Sequence, residues 1–226
     1  MNNDRAIVTI GKDVLAALPA AVYKGKVKII DNASEVAAAI KELRRCSLIG
    51  FDTETRPSFR KGQSYNIALI QLSSPDCCYL FRTNLIGFPP ELINILEDET
   101  ILKVGVSVHD DFHNLNKAVS FTPHGFIDLQ SMVREFRIAD SSLSRLYGIL
   151  FGERISKGQR LSNWEASELT EAQIAYAALD AHACVLIYNY LKAGKFNPLD
   201  SPYLTIPPDP IDEEESSDRQ KEMTDI

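Results

Sequence analysis

Apolar residues along this chain gather in short runs or strict alternation at six places, with helical spacing between several of them. "KVKIID" (26–31) reads as a strand. "NASEVAAAIKELRR" then places Val36, Ile40 and Leu43 on one helical face, with Asn32 in the N-cap position and Glu35 three residues on. "SLIGFDTET" (47–55) is a second strand, and a loop holding Pro57, Arg60, Lys61 and Gly62 follows it. "YNIALIQLSS" and "CCYLFRT" predict two more strands joined by a turn at Ser74-Pro75-Asp76. Pro89 and Pro90 open the helix "PPELINILEDE". "ILKVGVS" reads as a buried strand leading into the helix "HDDFHNLNKAV", and "GFIDLQ" as a short strand. The clearest helix starts at Thr170, where Gln173 completes a capping box, and runs to Gly194. Three strands, then alternating helix and strand, predict an α/β fold with a mixed sheet flanked by helices.

The ends lack this patterning. Residues 1–25 carry no clear period and are taken as an N-terminal extension to a body at 26–195. After Asn197 come Pro198, Pro202, Pro207, Pro208 and Pro210, then an acidic run, so 196–226 is expected to be a disordered tail.

Composition narrows the class. A 226-residue chain with 45% hydrophobic and 24% charged residues suits one soluble globular domain plus a tail. No apolar run is expected to span a membrane, and "MNNDRAIVTIGKD" lacks the form of a signal peptide. Cys46, Cys77, Cys78 and Cys184 form no C-x-x-C pair. Their expected state is buried and reduced, which implies a cytoplasmic setting. The net charge of −7 argues against a polyanionic partner until its distribution is considered. Residues 209–226 hold −6 and the remainder only −1, so basic patches on the body remain compatible with nucleic acid.

Candidate chemistry lies in the acids. Asp52 and Glu54 stand two apart at the end of a strand and therefore share one face, away from Ile49, Phe51 and Thr53. Two neighbouring carboxylates resist joint ionisation, and a bound Mg²⁺ or Mn²⁺ removes that penalty. Asp110 and Asp111 open a helix, where one can cap it and the other reach a metal; Leu115 lies one turn beyond Asp111. Tyr176 and Asp180 are four apart on a late helix rich in alanine, which can lie close to a sheet. Each motif alone has a bland reading as a cap, a rim aromatic or a surface acid.

Taken in order, D-x-E, D-x-x-x-L and Y-x-x-x-D resemble the DEDD superfamily of 3′→5′ exonucleases, in its DEDDy branch. The likeness is closest to the Werner-syndrome-type exonuclease domain and more distant to ribonuclease D. It extends to "LIGFDTE", "ALIQLSS", "YLF", "KVGVSVHDD", "LSNWE" and "LTEAQIAYAALDA". The resemblance implies a ribonuclease H-like fold, a five-stranded mixed sheet with helices on both faces. It also implies Asp52, Glu54, Asp111 and Asp180 as ligands of two divalent cations, Mg²⁺ or Mn²⁺. Asp111 is preferred to Asp110 because only it has a leucine four residues on. Tyr176 would position the attacking water; the histidine of the DEDDh branch would fall at Ala175.

The implied activity is metal-dependent hydrolysis of phosphodiester bonds from the 3′ end of DNA, RNA or both, releasing nucleoside 5′-monophosphates. The implied partner is nucleic acid with a free 3′ end, single-stranded or frayed, and not a membrane. Arg56, Arg60, Lys61, Lys157 and Arg160 are candidate phosphate contacts, and Trp164 is a candidate base-stacking residue with core packing as its alternative. Two other readings compete. One is a catalytically inactive nucleic-acid-binding or scaffolding protein of the same fold, which would be expected to lack one of the acids. The other is a two-carboxylate glycosidase, which leaves Asp111 and Tyr176 without a role.

Overall fold

In the computed structural model, which describes residues 5–60 and 62–207, the chain opens with strand β1 (Ile7–Val8) and helix α1 (Lys12–Ala17). A six-stranded sheet follows, built from β2 (Lys26–Ile30), β3 (Leu48–Thr55), β4 (Ile67–Ser73), β5 (Cys77–Phe81), β6 (Leu102–Gly105) and β7 (Phe126–Asp128). Its strand order is β2-β5-β4-β3-β6-β7, with β3–β4 and β4–β5 antiparallel and the remaining pairs parallel. The sheet is mixed, as expected, and has six strands where the resemblance implies five.

Helix α2 (Ala33–Leu43) begins where Asn32 accepts a hydrogen bond from the Ser34 amide at 3.0 Å. Helices α3 (Thr83–Ile86) and α4 (Pro90–Leu96) precede β6, and α5 (Val108–Ala118) leaves it. Val36, Ile40 and Leu43 of α2, Leu92 and Ile95 of α4 and Leu115 of α5 pack one face of the sheet, against Ile49, Phe51, Ile70 and Leu72. Helices α6 (Leu129–Met132) and α7 (Leu143–Phe151) lead to α8 (Glu171–Lys192) on the opposite face. Thr170 and Gln173 form the capping box that starts α8.

By length and composition α8 is apolar enough to cross a membrane, contrary to the expectation from sequence. Its apolar surface is instead spent on the core: Ala177, Ala178 and Ala181 pack with Leu69 and Leu80 of the sheet. The approach is closest at β3, where a Cβ added to Gly50 would fall 1.9 Å from the Ala181 carbonyl oxygen and 3.0 Å from Val185 Cγ2. Helix backbone therefore occupies the volume of the absent side chain.

The ends differ from the sequence reading. Ala6, Val8 and Ile10 alternate inward, and Val8 and Ile10 join the core with Leu129, Val133, Ile138 and Leu146. Residues 196–207 are ordered. Asn197 caps a 3-10 turn (Pro198–Asp200), and strand β8 (Leu204–Thr205) pairs antiparallel with β1. Prolines at 198 and 202 are compatible with this because they sit at a turn start and before the strand, where no ladder amide is required. Proline content alone was therefore a poor guide to disorder here. The acidic run expected to be disordered lies outside the described residues.

The Gly50 contact makes a direct prediction. Gly50→Ala inserts a methyl group where helix backbone already lies, and overpacking of this kind costs about 1–3 kcal/mol or more. Urea denaturation should show a lower midpoint at unchanged slope, and an unshifted midpoint would show that α8 does not lie this close.

Candidate active site

Strand pleating sends Asp52 and Glu54 toward α8 and Thr53 toward α5. Beyond Glu54 the register with β4 shifts, so β3 ends in an irregularity beside the acids. Asp180 precedes Ala181, the residue seated over Gly50, and this contact delivers its carboxylate to the same place. One oxygen each from Asp52, Glu54 and Asp180 lie within 4.8 Å of one another.

Asp111 stands apart from that triad. It rises from the first turn of α5, and its carboxylate accepts a hydrogen bond from Thr53 Oγ1 on the other side of the strand. Asp110 is exposed, Asp111 is half-buried and Leu115 is fully buried one turn below. Ser107, the residue before α5, adopts left-handed backbone (φ 60°, ψ 34°), and its amide donates to Asp128 Oδ1 at 3.3 Å. A non-glycine residue in this conformation is held by its surroundings, here at the point that orients Asp111.

The electrostatics follow from burial and like charge. Burial, then Asp180, holds the Asp52 carboxyl well above the usual carboxylate range. Glu54 is pushed up to about 10 by burial and by Asp52, Asp180 and Asp111, with Arg160 opposing the shift. Asp111 is pushed up to about 8 by burial and Asp52, partly offset by the Thr53 hydrogen bond. Asp180 is pushed up to about 7 by burial, with the Tyr176 hydroxyl one turn away opposing the shift. The Tyr176 phenol is itself raised by burial and by Asp180, so it remains a hydrogen-bond donor at neutral pH.

These groups fit divalent cations. Oxygen donors converge, they repel one another when ionised, and Asp180 Oδ1 is buried without a hydrogen-bond partner among the described residues. Hard cations with oxygen coordination meet each of these conditions.

Around the acids the candidate nucleic-acid contacts divide. Lys157 and Arg160 line a cleft of about 240 Å³ together with Ser107, Ser156, Tyr176 and Asp180. Arg56 and Arg60 line a second cleft of about 460 Å³ with Phe59, Tyr65 and Leu161. Arg56 stacks over Tyr65 at 4.9 Å and pairs with Glu165 at 3.4 Å. Lys61 lies outside the described residues.

Trp164 is a correction. It is 0% exposed, packed with Leu69, Leu80 and Ala177, with its ring centroid 6.1 Å from that of Tyr176. A side chain so enclosed has no face for a base; it backs Tyr176 instead. Two contributors escaped the sequence reading. Thr53 holds Asp111, a role signalled only by its place between the acids on the opposite pleat. Phe59, 84% exposed, fronts the second cleft, and a large apolar residue in a basic loop was the available signal.

The family profile described as 3'-5' exonuclease matches residues 27–194. The mouse bifunctional 3'-5' exonuclease/ATP-dependent helicase WRN is 35% identical over 150 residues, which cover 64% of this chain and 11% of that protein. This chain therefore corresponds to a small part of that relative. Among solved structures, the Aedes aegypti Nibbler EXO domain superposes with a TM-score of 0.70 at 24% identity, covering 80% of this chain and 97% of that one. The Trypanosoma brucei RNase D complex with RNA U12 gives 0.67 at 21%, covering 79% and 65%. At these identities the structural likeness speaks for the ribonuclease H-like fold.

A pH prediction follows from the raised carboxyls. Between the ordinary carboxylate range and their raised values, the folded chain binds protons that the unfolded chain has released. Stability in chelator is therefore greatest at low pH within this window and falls as pH rises from about 4 through 7, 8 and 10. Thermal midpoints in EDTA should drop from pH 5 to pH 9, and Mn²⁺ should restore more at pH 8 than at pH 5. A midpoint insensitive to both would contradict the proximity of these carboxylates.

Proposed function

Because the chain belongs to the 3'-5' exonuclease family, we propose that it is a metal-dependent enzyme that hydrolyses phosphodiester bonds from the 3′ end of DNA, RNA or both and releases nucleoside 5′-monophosphates. The observation that carries this reading is the convergence of Asp52, Glu54 and Asp180 within 4.8 Å, with Asp111 close enough to raise and be raised by the same charges.

Asp52, Glu54 and Asp180 would hold the cations, Mg²⁺ or Mn²⁺, and Asp111 would contribute in part through water. Two such ions, when bound, supply Lewis acidity and neutralise charge at the attacking and leaving oxygens of a phosphodiester. Tyr176, protonated and one turn before Asp180, would orient the attacking water by donating or accepting a hydrogen bond; it is not a base of useful strength. Lys157 and Arg160 face the cleft beside Tyr176 and would contact substrate phosphates. Arg56 and Arg60 would do so at the neighbouring cleft. A single-stranded or frayed 3′ end is the substrate form proposed, and the RNA-bound relative is consistent with that class of ligand. A cytoplasmic setting is part of the proposal, read from four cysteines that form no C-x-x-C pair.

Labelled oligonucleotides test the reading. Parent protein should shorten 3′-labelled and 5′-labelled single strands from the 3′ end with Mg²⁺ or Mn²⁺ and stop in EDTA. Asp52→Asn should abolish this while circular dichroism stays unchanged, and Tyr176→Phe should slow it less severely. Full digestion by the Asp52 variant would refute the assignment. Deleting residues 209–226, which carry −6, should leave turnover intact, and a hundredfold loss would assign that segment a part in the chemistry.

A further inference from the structure

Gln71 lies in β4 directly opposite Asp52. Opposed residues of an antiparallel pair point to the same face, with Cβ atoms about 4.5–5.5 Å apart. Gln71 is therefore on the α8 side of the sheet with Asp52 and Glu54. Its side chain is 0% exposed, and neither Nε2 nor Oε1 has a hydrogen-bond partner among the described residues. Its same-face neighbours are accounted for. Leu69 packs with Trp164 and Ala181, and Ser73 Oγ lies 3.3 Å from His182 Nδ1. On β4 the amide between them is unbonded, and across this face Trp164 Nε1 and Asp180 Oδ1 are buried without partners as well.

A fully buried primary amide with both atoms idle is unfavourable, and an apolar side chain of that size would fill the space without penalty. The opposite residue supplies a reason for its presence. Asp52 sits in a like-charged cluster and, if it holds a cation, must be kept ionised and in one orientation. An amide N–H₂ does both. It donates to a carboxylate, and being uncharged it does not repel a cation as a lysine would.

We infer that Gln71 is a positioning residue for the cation site, donating from Nε2 to the Asp52 carboxylate in the loaded protein and fixing which Asp52 oxygen faces the ion. This rests on the reading of the acids as cation ligands. Groups that orient metal ligands in this way typically change metal affinity or activity by about 10–100-fold when removed.

The test is Mn²⁺ binding by the full chain and by Gln71→Met and Gln71→Leu, followed by the paramagnetic resonance of free Mn²⁺, with thermal midpoints in EDTA measured alongside. The expected result is an EDTA midpoint equal to or above that of the parent, because an idle amide has been removed, together with Mn²⁺ affinity lowered at least tenfold. The Mn²⁺ concentration for half-maximal digestion should move by the same factor. Unchanged Mn²⁺ affinity in both variants would overturn the inference and leave Gln71 as filler. Failure of both variants to fold would also overturn it, since a side chain without partners has no bond whose loss unfolds the chain. A parent that binds no Mn²⁺ would instead bring down the cation reading itself, and the inference with it.

Discussion

Contact between α8 and β3 at Gly50 is the constraint on which the site depends. Helix backbone rests where a side chain would otherwise stand, and the alanines along that helix extend the close approach down the sheet. Asp180 immediately precedes the seated residue, and Asp52 lies two residues past the glycine. The carboxylates meet because the layers do. Tyr176, one turn earlier on the same helix, is carried into the cleft by the same docking and is backed there by Trp164. A helix with larger side chains would ride higher and hold its acid away from the strand.

Packing of this kind imposes an electrostatic debt. Two buried carboxylates and a half-buried third stand beside one another and a fourth lies close by, and the fold moderates this in several small ways. Thr53 donates to Asp111, the Tyr176 hydroxyl one turn away favours ionised Asp180, and the charge of Arg160 favours ionised Glu54. None of these neutralises the cluster. What remains is a pocket whose ionised form calls for added positive charge, which is the condition a phosphodiester hydrolase needs before an anionic substrate can approach.

Much of this was legible in the sequence. Alternation and helical spacing located all six strands of the main sheet, and the capping box at Thr170 marked the start of α8. The shared face of Asp52 and Glu54 follows from the pleat alone, and the choice of Asp111 over its neighbour comes from the family pattern D-x-x-x-L, which Leu115 completes. Features that depend on distant partners were not legible. A two-residue strand such as β1 is too short to show a period, and its partner lies almost two hundred residues away. Trp164 is buried because of what covers it, which its own neighbours in sequence do not reveal. Gln71 sits in the apolar string "ALIQLSS", and only the pairing register sets it opposite Asp52.

The β1–β8 ribbon brings the two extremities of the described chain side by side. It is fastened through Asp140, whose carboxylate accepts from Ile10 N at 2.9 Å and Thr9 Oγ1 at 3.0 Å and also engages Arg145. The next residues, Ser141 to Ser144, form a wall of the cleft that holds Tyr176 and Asp180. Mechanically, the ribbon is a handle held at several points: the Asp140 carboxylate, the Val8 backbone bonds to Arg137 and Ala139, and Val8 and Ile10 in the core. A load drawn on either strand of the ribbon reaches the wall of this acid-lined cleft in part through the Asp140 carboxylate, one residue before Ser141, so the ribbon and the cleft are mechanically joined.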